Sequence, residues 1–271
     1  IVLNDDLRNS SSPFAVEYED VLTHVINHEL AHMWAGNRTT LATTKDFVWK
    51  EAAVEYLSFV FEDETLGEET SRATTRYWKA ASEAVEYFAA PQEDLPLVEY
   101  YGDAYGPGVL ILFRQLEALF DRASVFGALA DLLAEPGAIG IDDVQLALET
   151  RLGVGLDGYF DSWLRGRGRP QWPVFTIETS QNGNQVDVVV EQVAPAAPMG
   201  CAFAVELRGA LDTERAEVWI DRGVNGQMLT SVSTSVAFDV VEVRLDPHGH
   251  ALAYSPGVRE SGSPVNPWHA H

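Results

Sequence analysis

Two kinds of periodicity, separated by one linker, predict a multi-domain α+β chain: a mainly helical domain followed by an all-β, immunoglobulin-like sandwich. Up to about residue 164, apolar residues recur at three- and four-residue intervals, as on the buried face of a helix. After Pro173 they alternate with polar ones, β-branched residues are frequent, and Gly, Asn and Asp punctuate the runs. Between the two lies the segment from Gly166 to Pro173, rich in Gly, Arg and Pro as linkers are. The boundaries that follow are 1–172 for the helical domain and 173–255 for the β-sandwich domain. Residues 256–271 form a Gly/Ser/Pro-rich tail expected to be flexible.

The elements follow in order. Ile1 to Leu7 reads as a strand, and a polar loop leads to a helix from about Tyr18 to Ala35. Asn37 to Asp46 is a threonine-rich loop, and a second helix covers about Val48 to Phe61. A long helix to about Phe88 follows, marked by Ala73, Tyr77, Ala80, Ala84 and Phe88, and the stretch from Pro91 to Pro96 breaks it. Val109 to Leu119 and Val125 to Ala134 are periodic as bundle helices are. Asp142 and Asp143 cap a helix to about Arg151, and Tyr159 to Leu164 is a short last one. Strands are expected at Val174 to Ile177, Gln185 to Val193, Ala202 to Leu207, Ala216 to Ile220 and Val236 to Leu245. In the second of these, Val186, Val188 and Val190 share one face; Asp187, Val189 and Glu191 share the other. Short strands at this spacing suggest the immunoglobulin-like sandwich.

Charge narrows the function. With 41 acidic against 18 basic residues the net charge is −23, which argues against nucleic acid or anionic membrane as partners. Acidic runs such as Glu62-Asp63-Glu64 read as solvated faces. Cys201 is the single cysteine, so disulfides do not staple the fold. No stretch resembles a membrane segment or a signal peptide. The chain opens on Ile1-Val2-Leu3 without an initiator methionine, so it reads as an excised piece. Compartment and oligomeric state therefore stay open.

The segment with the most chemistry is His28-Glu29-Leu30-Ala31-His32. Residues i and i+4 of a helix lie one above the other, about 6 Å apart along the axis, so the two imidazoles can converge on one metal ion. Glu29, beside them, is free to hold a metal-bound water. This HExxH pattern is that of zinc-protease helices, with the glutamate as general base. A third protein ligand is needed, and Glu51, eighteen residues after His32, is the candidate. One helical turn on, Glu55 shares the face of Glu51 and can accept the free ring N–H of a ligand histidine. His24, one turn before His28, reads as a packing or solvent-facing residue.

HELAHMWAGNRTT, with the glutamate of WKEAAVEYL at this spacing, resembles the gluzincin zinc metallopeptidases of the aminopeptidase N and leukotriene hydrolase type. Trp34, Gly36 and Asn37 match positions after the second histidine; Trp49, Glu51, Glu55 and Tyr56 match the string around the third ligand. Lys50, Ala52 and Val54 depart from it. The resemblance implies a thermolysin-like catalytic domain followed by a small β domain, one zinc ion per chain on His28, His32 and Glu51, and a peptide substrate. It also implies a tyrosine that donates to the oxyanion. The match is Tyr105, in Tyr105-Gly106-Pro107-Gly108, where Pro107 replaces the usual lysine; Tyr100 and Tyr101 are nearby substitutes. Family members are longer, with an N-terminal β domain and a Gly-x-Met-Glu-Asn-like segment that grips the substrate's free amine, both absent here. The expected activity is peptide-bond hydrolysis, aminopeptidase in the full-length protein. The alternative is a non-catalytic zinc-binding or interaction module that keeps the peptidase fold. Epoxide hydrolysis, as in the leukotriene branch, would use the same zinc.

Overall fold

A computed structural model describes residues 18–68, 71, 108–163, 174–194, 200–220 and 228–247. The strand expected at 1–7, most of the helix expected to end at Phe88, Tyr105 and the 256–271 tail lie outside the described residues. The first helix, α1 (Tyr18–Ala31), is shorter than its apolar pattern suggested. Its last turn tightens into three-residue hydrogen bonds, Met33 N to Leu30 O at 3.0 Å and Trp34 N to Ala31 O at 3.1 Å. At Gly36, φ of +126° turns the chain back, so that Asn37 N donates to His32 O at 3.0 Å. A Cβ on Gly36 would sit 3.1 Å from Lys50 Cδ and 3.4 Å from His32 Nδ1, a fit close enough to press on the lysine stem, while the positive φ is what calls for glycine.

The expected threonine-rich loop contains a strand, β1 (Thr39–Leu41), paired in parallel with β2 (Gly137–Ile139). Three residues cannot display an alternation, and the partner lies far along the chain, so local sequence did not mark either strand. After a 3-10 turn at Thr44–Asp46 comes α2 (Phe47–Thr65), the central helix. Trp49, Ala52, Ala53, Val54 and Tyr56 are all fully buried, on every side of its first two turns, which is why it lacks a clear polar stripe. Around it stand α3 (Gly108–Leu119), α4 (Arg122–Leu133), α5 (Ile141–Leu152) and α6 (Asp157–Trp163). Phe113, Leu116, Val125, Leu129, Val144, Leu148 and Phe160 fill the space between them.

Caps fix where these helices start. Asp121 opens α4 by accepting from Ser124 N at 2.7 Å, three residues before the expected start. In α5 the capping residue is Gly140, not Asp142 or Asp143; Asp143 sits in the first turn and accepts from Gly140 N at 2.8 Å.

Asp46 holds two distant segments together. Its Oδ2 accepts from Thr43 N and Thr43 Oγ1, both at 2.7 Å, and its Oδ1 accepts from Ile141 N at 2.8 Å. A Cβ at Gly140 would approach that Oδ1 to 3.2 Å, so the small residue admits the carboxylate. Replacing Asp46 by alanine strands three donors, two of them backbone, and should cost about 3 kcal/mol, seen as a melting point lowered by roughly 5–10 °C. An unchanged melting point in calorimetry would show that the segments are held by other means.

The C-terminal strands form two antiparallel three-stranded sheets. One has the order β3 (Val174–Asn182), β4 (Gln185–Ala194), β7 (Leu229–Ser235); the other has β6 (Thr213–Ile220), β5 (Cys201–Arg208), β8 (Glu242–Leu245). Val186, Val188 and Val190 are fully buried as their alternation required, and Phe175 packs on Phe203 with ring centroids 5.1 Å apart. The strand expected over Val236 to Leu245 is confined to its last four residues. Gln181 explains this: its side chain donates to Phe238 O at 2.8 Å and accepts from Val240 N at 2.9 Å, so the segment is tied by a side chain and not by a ladder. The adjoining strand β7, Leu-Thr-Ser-Val-Ser-Thr-Ser, was missed because neither of its faces is apolar. The architecture is α+β, and its core is continuous: Gln115 of α3 accepts from Ala202 N of β5 at 2.9 Å, and both lie in the interior. Among the described residues no helix is long and apolar enough to cross a membrane.

Candidate metal centre

Helices α1 and α2 pack side by side in opposite directions. His24, His28 and His32 follow one another at four-residue intervals along α1 and the turn beyond it. Glu51, Glu55 and Glu62 line the facing side of α2. Reading α1 forwards and α2 backwards gives the pairs: His24 with Glu62 and Glu55, His28 with Glu55 and Glu51, His32 with Glu51.

Three atoms converge at one end of this ladder. His28 Nε2 and His32 Nε2 are 3.1 Å apart, and Glu51 Oε2 lies 3.4 Å from the first and 3.5 Å from the second. The outer nitrogens decide what these atoms are. His28 Nδ1 donates to Glu55 Oε1 at 3.0 Å, and His32 Nδ1 donates to the carbonyl of Ala35 at 3.0 Å. Each neutral imidazole carries one N–H, so both Nε2 atoms present bare lone pairs to each other and to a carboxylate oxygen. Glu51 Oε2 is buried and has no hydrogen-bond donor among the described residues. With both imidazoles neutral, three acceptors pack together without a donor, an arrangement that a cation satisfies. A tetrahedral zinc ion with bonds of about 2.0–2.1 Å needs its ligand atoms roughly 3.3 Å apart, and these edges are of that length. Two imidazole nitrogens and one carboxylate oxygen are also the donor set zinc takes in catalytic sites.

The same convergence appears as proton affinity. Burial alone would lower the basicity of His28, but the carboxylates of Glu51 and Glu55 raise its pKa to about 9. Glu51, against its burial, is held well below the usual carboxylate range by His28, His32 and Lys50. Lys50 Nζ pairs with Glu51 Oε1 at 2.7 Å, which leaves Oε2 for the centre. Thus Lys50, a departure from the family string, orients the Glu51 carboxylate.

A second group of possible ligands, His24, His28 and Glu55, shares His28. His24 Nε2 lies 2.9 Å from Glu55 Oε2, an ion-pair contact in which neither buried atom makes a well-aligned hydrogen bond, and His28 Nδ1 lies 3.0 Å from Glu55 Oε1. Glu55 thus lies behind His28, on the side of its ring away from Glu51. His24 is neither a packing residue nor solvent-facing: it is 8% exposed and bridges Glu55 and Glu62. Glu62 is 1% exposed, so the acidic run 62–64 is not a solvated face at its first residue. Asp63 also has partners, Arg122 Nη1 at 2.6 Å and Ser71 Oγ at 2.7 Å. The signal for these pairings was the shared four-residue spacing on the two helices, legible only once the helices are paired.

Glu29 lies between the two histidines on α1, half-buried, and makes no hydrogen bond or ion pair among the described residues. Trp49, buried completely, donates from Nε1 to Ile139 O at 3.2 Å and so anchors the start of α2, two residues before Glu51, on β2. An apolar cleft of about 560 Å³ between α1, α2 and α4 is lined by Leu30, Trp34, Leu57, Phe61 and Phe126 among others; none of His28, Glu29, His32 or Glu51 borders it.

Residues 5–96 match the family model described as the Peptidase family M1 domain. Aminopeptidase N of Streptomyces lividans is 26% identical over 224 residues, a match that covers 73% of this chain and 25% of that protein. In fold, the chain is similar to a crystal structure of Legionella pneumophila aminopeptidase A in complex with aspartic acid: TM-score 0.65, 17% identity, 86% of this chain and 26% of that one. The chain spans about a quarter of the length of each of these relatives.

Proposed function

We propose, from the premise that residues 5–96 are peptidase family M1 sequence, that this chain carries the zinc site of a metallopeptidase that hydrolyses peptide bonds, an aminopeptidase in the full-length protein. The observation that carries this reading is the convergence of His28 Nε2, His32 Nε2 and Glu51 Oε2, three acceptor atoms when both imidazoles are neutral. Zinc in that position acidifies water and polarises a carbonyl. Three protein ligands leave one position of a tetrahedron open, as catalysis needs and structural sites do not allow.

The chain's own groups divide the remaining work. Glu55 and the Ala35 carbonyl fix the imidazole tautomers, so both Nε2 lone pairs face inward. Lys50 fixes the rotation of the Glu51 carboxylate. Glu29, one residue from a ligand and unengaged among the described residues, is the general base: it takes a proton from the attacking water and hands it to the leaving amine. Tyr105, assigned from the resemblance alone, is the donor to the developing oxyanion. Residues 1–172 correspond on this reading to a thermolysin-like catalytic domain, and 173–255 to an immunoglobulin-like β-sandwich. A peptide is the substrate.

Elemental analysis of the purified 271-residue chain tests the reading: about one zinc per molecule is expected. Absence of zinc after incubation with the metal overturns it. Zinc without cleavage of peptide or amino-acid amide substrates by the full-length protein leaves a zinc-binding interaction module instead.

A further inference from the structure

The ladder between α1 and α2 extends past the residues that a zinc centre needs. Glu55 is buried, and only one of its oxygens is used by His28; the other is 2.9 Å from His24 Nε2. The second nitrogen of His24, Nδ1, is 2.9 Å from Glu62 Oε1, and Asn27 Nδ2 reaches the same oxygen at 3.4 Å. Ionised carboxylates only accept, so a histidine set between two of them carries a proton on each nitrogen. His24 is then a buried imidazolium between two buried carboxylates. It supplies the positive charge that lets Glu55 stay ionised out of water.

We propose that His24, anchored by Glu62, is a positioning residue for the metal centre: it clamps the second oxygen of Glu55, so that the first remains on His28 Nδ1 and His28 Nε2 stays aimed at the ion. This rests on the reading that zinc sits on His28, His32 and Glu51. The geometry favours such a clamp because a carboxylate held at one oxygen still pivots about its last bond, and a carboxylate held at both does not. Each contact joins α1 to α2, so the clamp also fixes the register of the helices that carry the three ligands.

Zinc affinity, measured on the 271-residue chain by competition with a chromophoric chelator, tests the proposal alongside the absorption spectrum of the cobalt-substituted protein. His24→Phe keeps the ring volume and removes both contacts; it should bind zinc about tenfold more weakly, with a shifted cobalt spectrum, as supporting residues behind a ligand do. Glu62→Gln should move both readouts in the same direction by a smaller factor. His24→Gln, whose amide N–H still reaches Glu55, should recover most of the affinity. A wild-type chain that binds zinc, with His24→Phe within twofold of it and an unchanged spectrum, overturns the clamp and leaves the metal centre standing. Should His24→Phe fail to fold, unchanged affinity in Glu62→Gln overturns it equally. A wild-type chain that binds no zinc removes the centre and the clamp together.

Discussion

Glu51→Ala should lose zinc altogether under conditions in which the wild-type chain retains about one ion per molecule. The remaining pair, His28 and His32, provides two bonds where three are needed. The loss exceeds the tenfold to hundredfold weakening typical when a residue behind a ligand is removed, so an affinity loss of more than about a hundredfold is expected. The variant also leaves Lys50 Nζ without the carboxylate that it holds at 2.7 Å. Dialysis against a weak chelator followed by elemental analysis reads the effect, with circular dichroism to show that α1 and α2 persist. A folded Glu51→Ala chain that still holds one zinc would place the third ligand elsewhere and break the link between the converging atoms and the metal.

Glu29→Gln should separate binding from chemistry. The amide has the shape of the carboxylate and cannot take a proton, and Glu29 contacts none of the three converging atoms. Zinc content should therefore stay at the wild-type level, whereas peptide hydrolysis by the full-length protein falls by about 10²–10⁴-fold, the range a positioned general base contributes. Steady-state rates on an amino-acid amide substrate suffice, with the loss expected in kcat. Activity within tenfold of wild type would assign the proton transfer to another group.

How much of this was legible beforehand depended on how local each signal was. The helix repeat alone sets His28 beside His32 on one segment and Glu51 beside Glu55 on another, which is why each pair could be read from spacing. Gly36 and Trp49 were visible as matches to a family string, but their reasons were not: one leaves room beside His32 Nδ1, the other ties the start of α2 to β2. His24 and Glu62 were misread when each was taken on its own helix. Buried imidazole and buried carboxylate make sense only as a pair across the α1–α2 contact. The β region shows the same limit. Val186, Val188 and Val190 announce their strand, whereas β7 carries serine and threonine along most of its length and is a strand because of its neighbour β4. Tyr105 lies outside the described residues, and the domain boundary at 172 remains an assignment from composition, set against a core that runs through Gln115 and Ala202 without a break.

The eighteen-residue interval between His32 and Glu51 is measured out by structure. Its first part is locked by β1 on β2, its last by Asp46 and by Trp49 on Ile139. A residue inserted within either helix of the ladder would turn everything beyond it by about 100° and take half of the rungs out of reach. The bend between them is tied as well, Ala42 N to Ile139 O at 2.9 Å and Thr43 N to Asp46 Oδ2 at 2.7 Å. Drift in this protein's sequence is therefore free to change residues along α1 and α2 far more readily than to change the number of residues between His32 and Glu51.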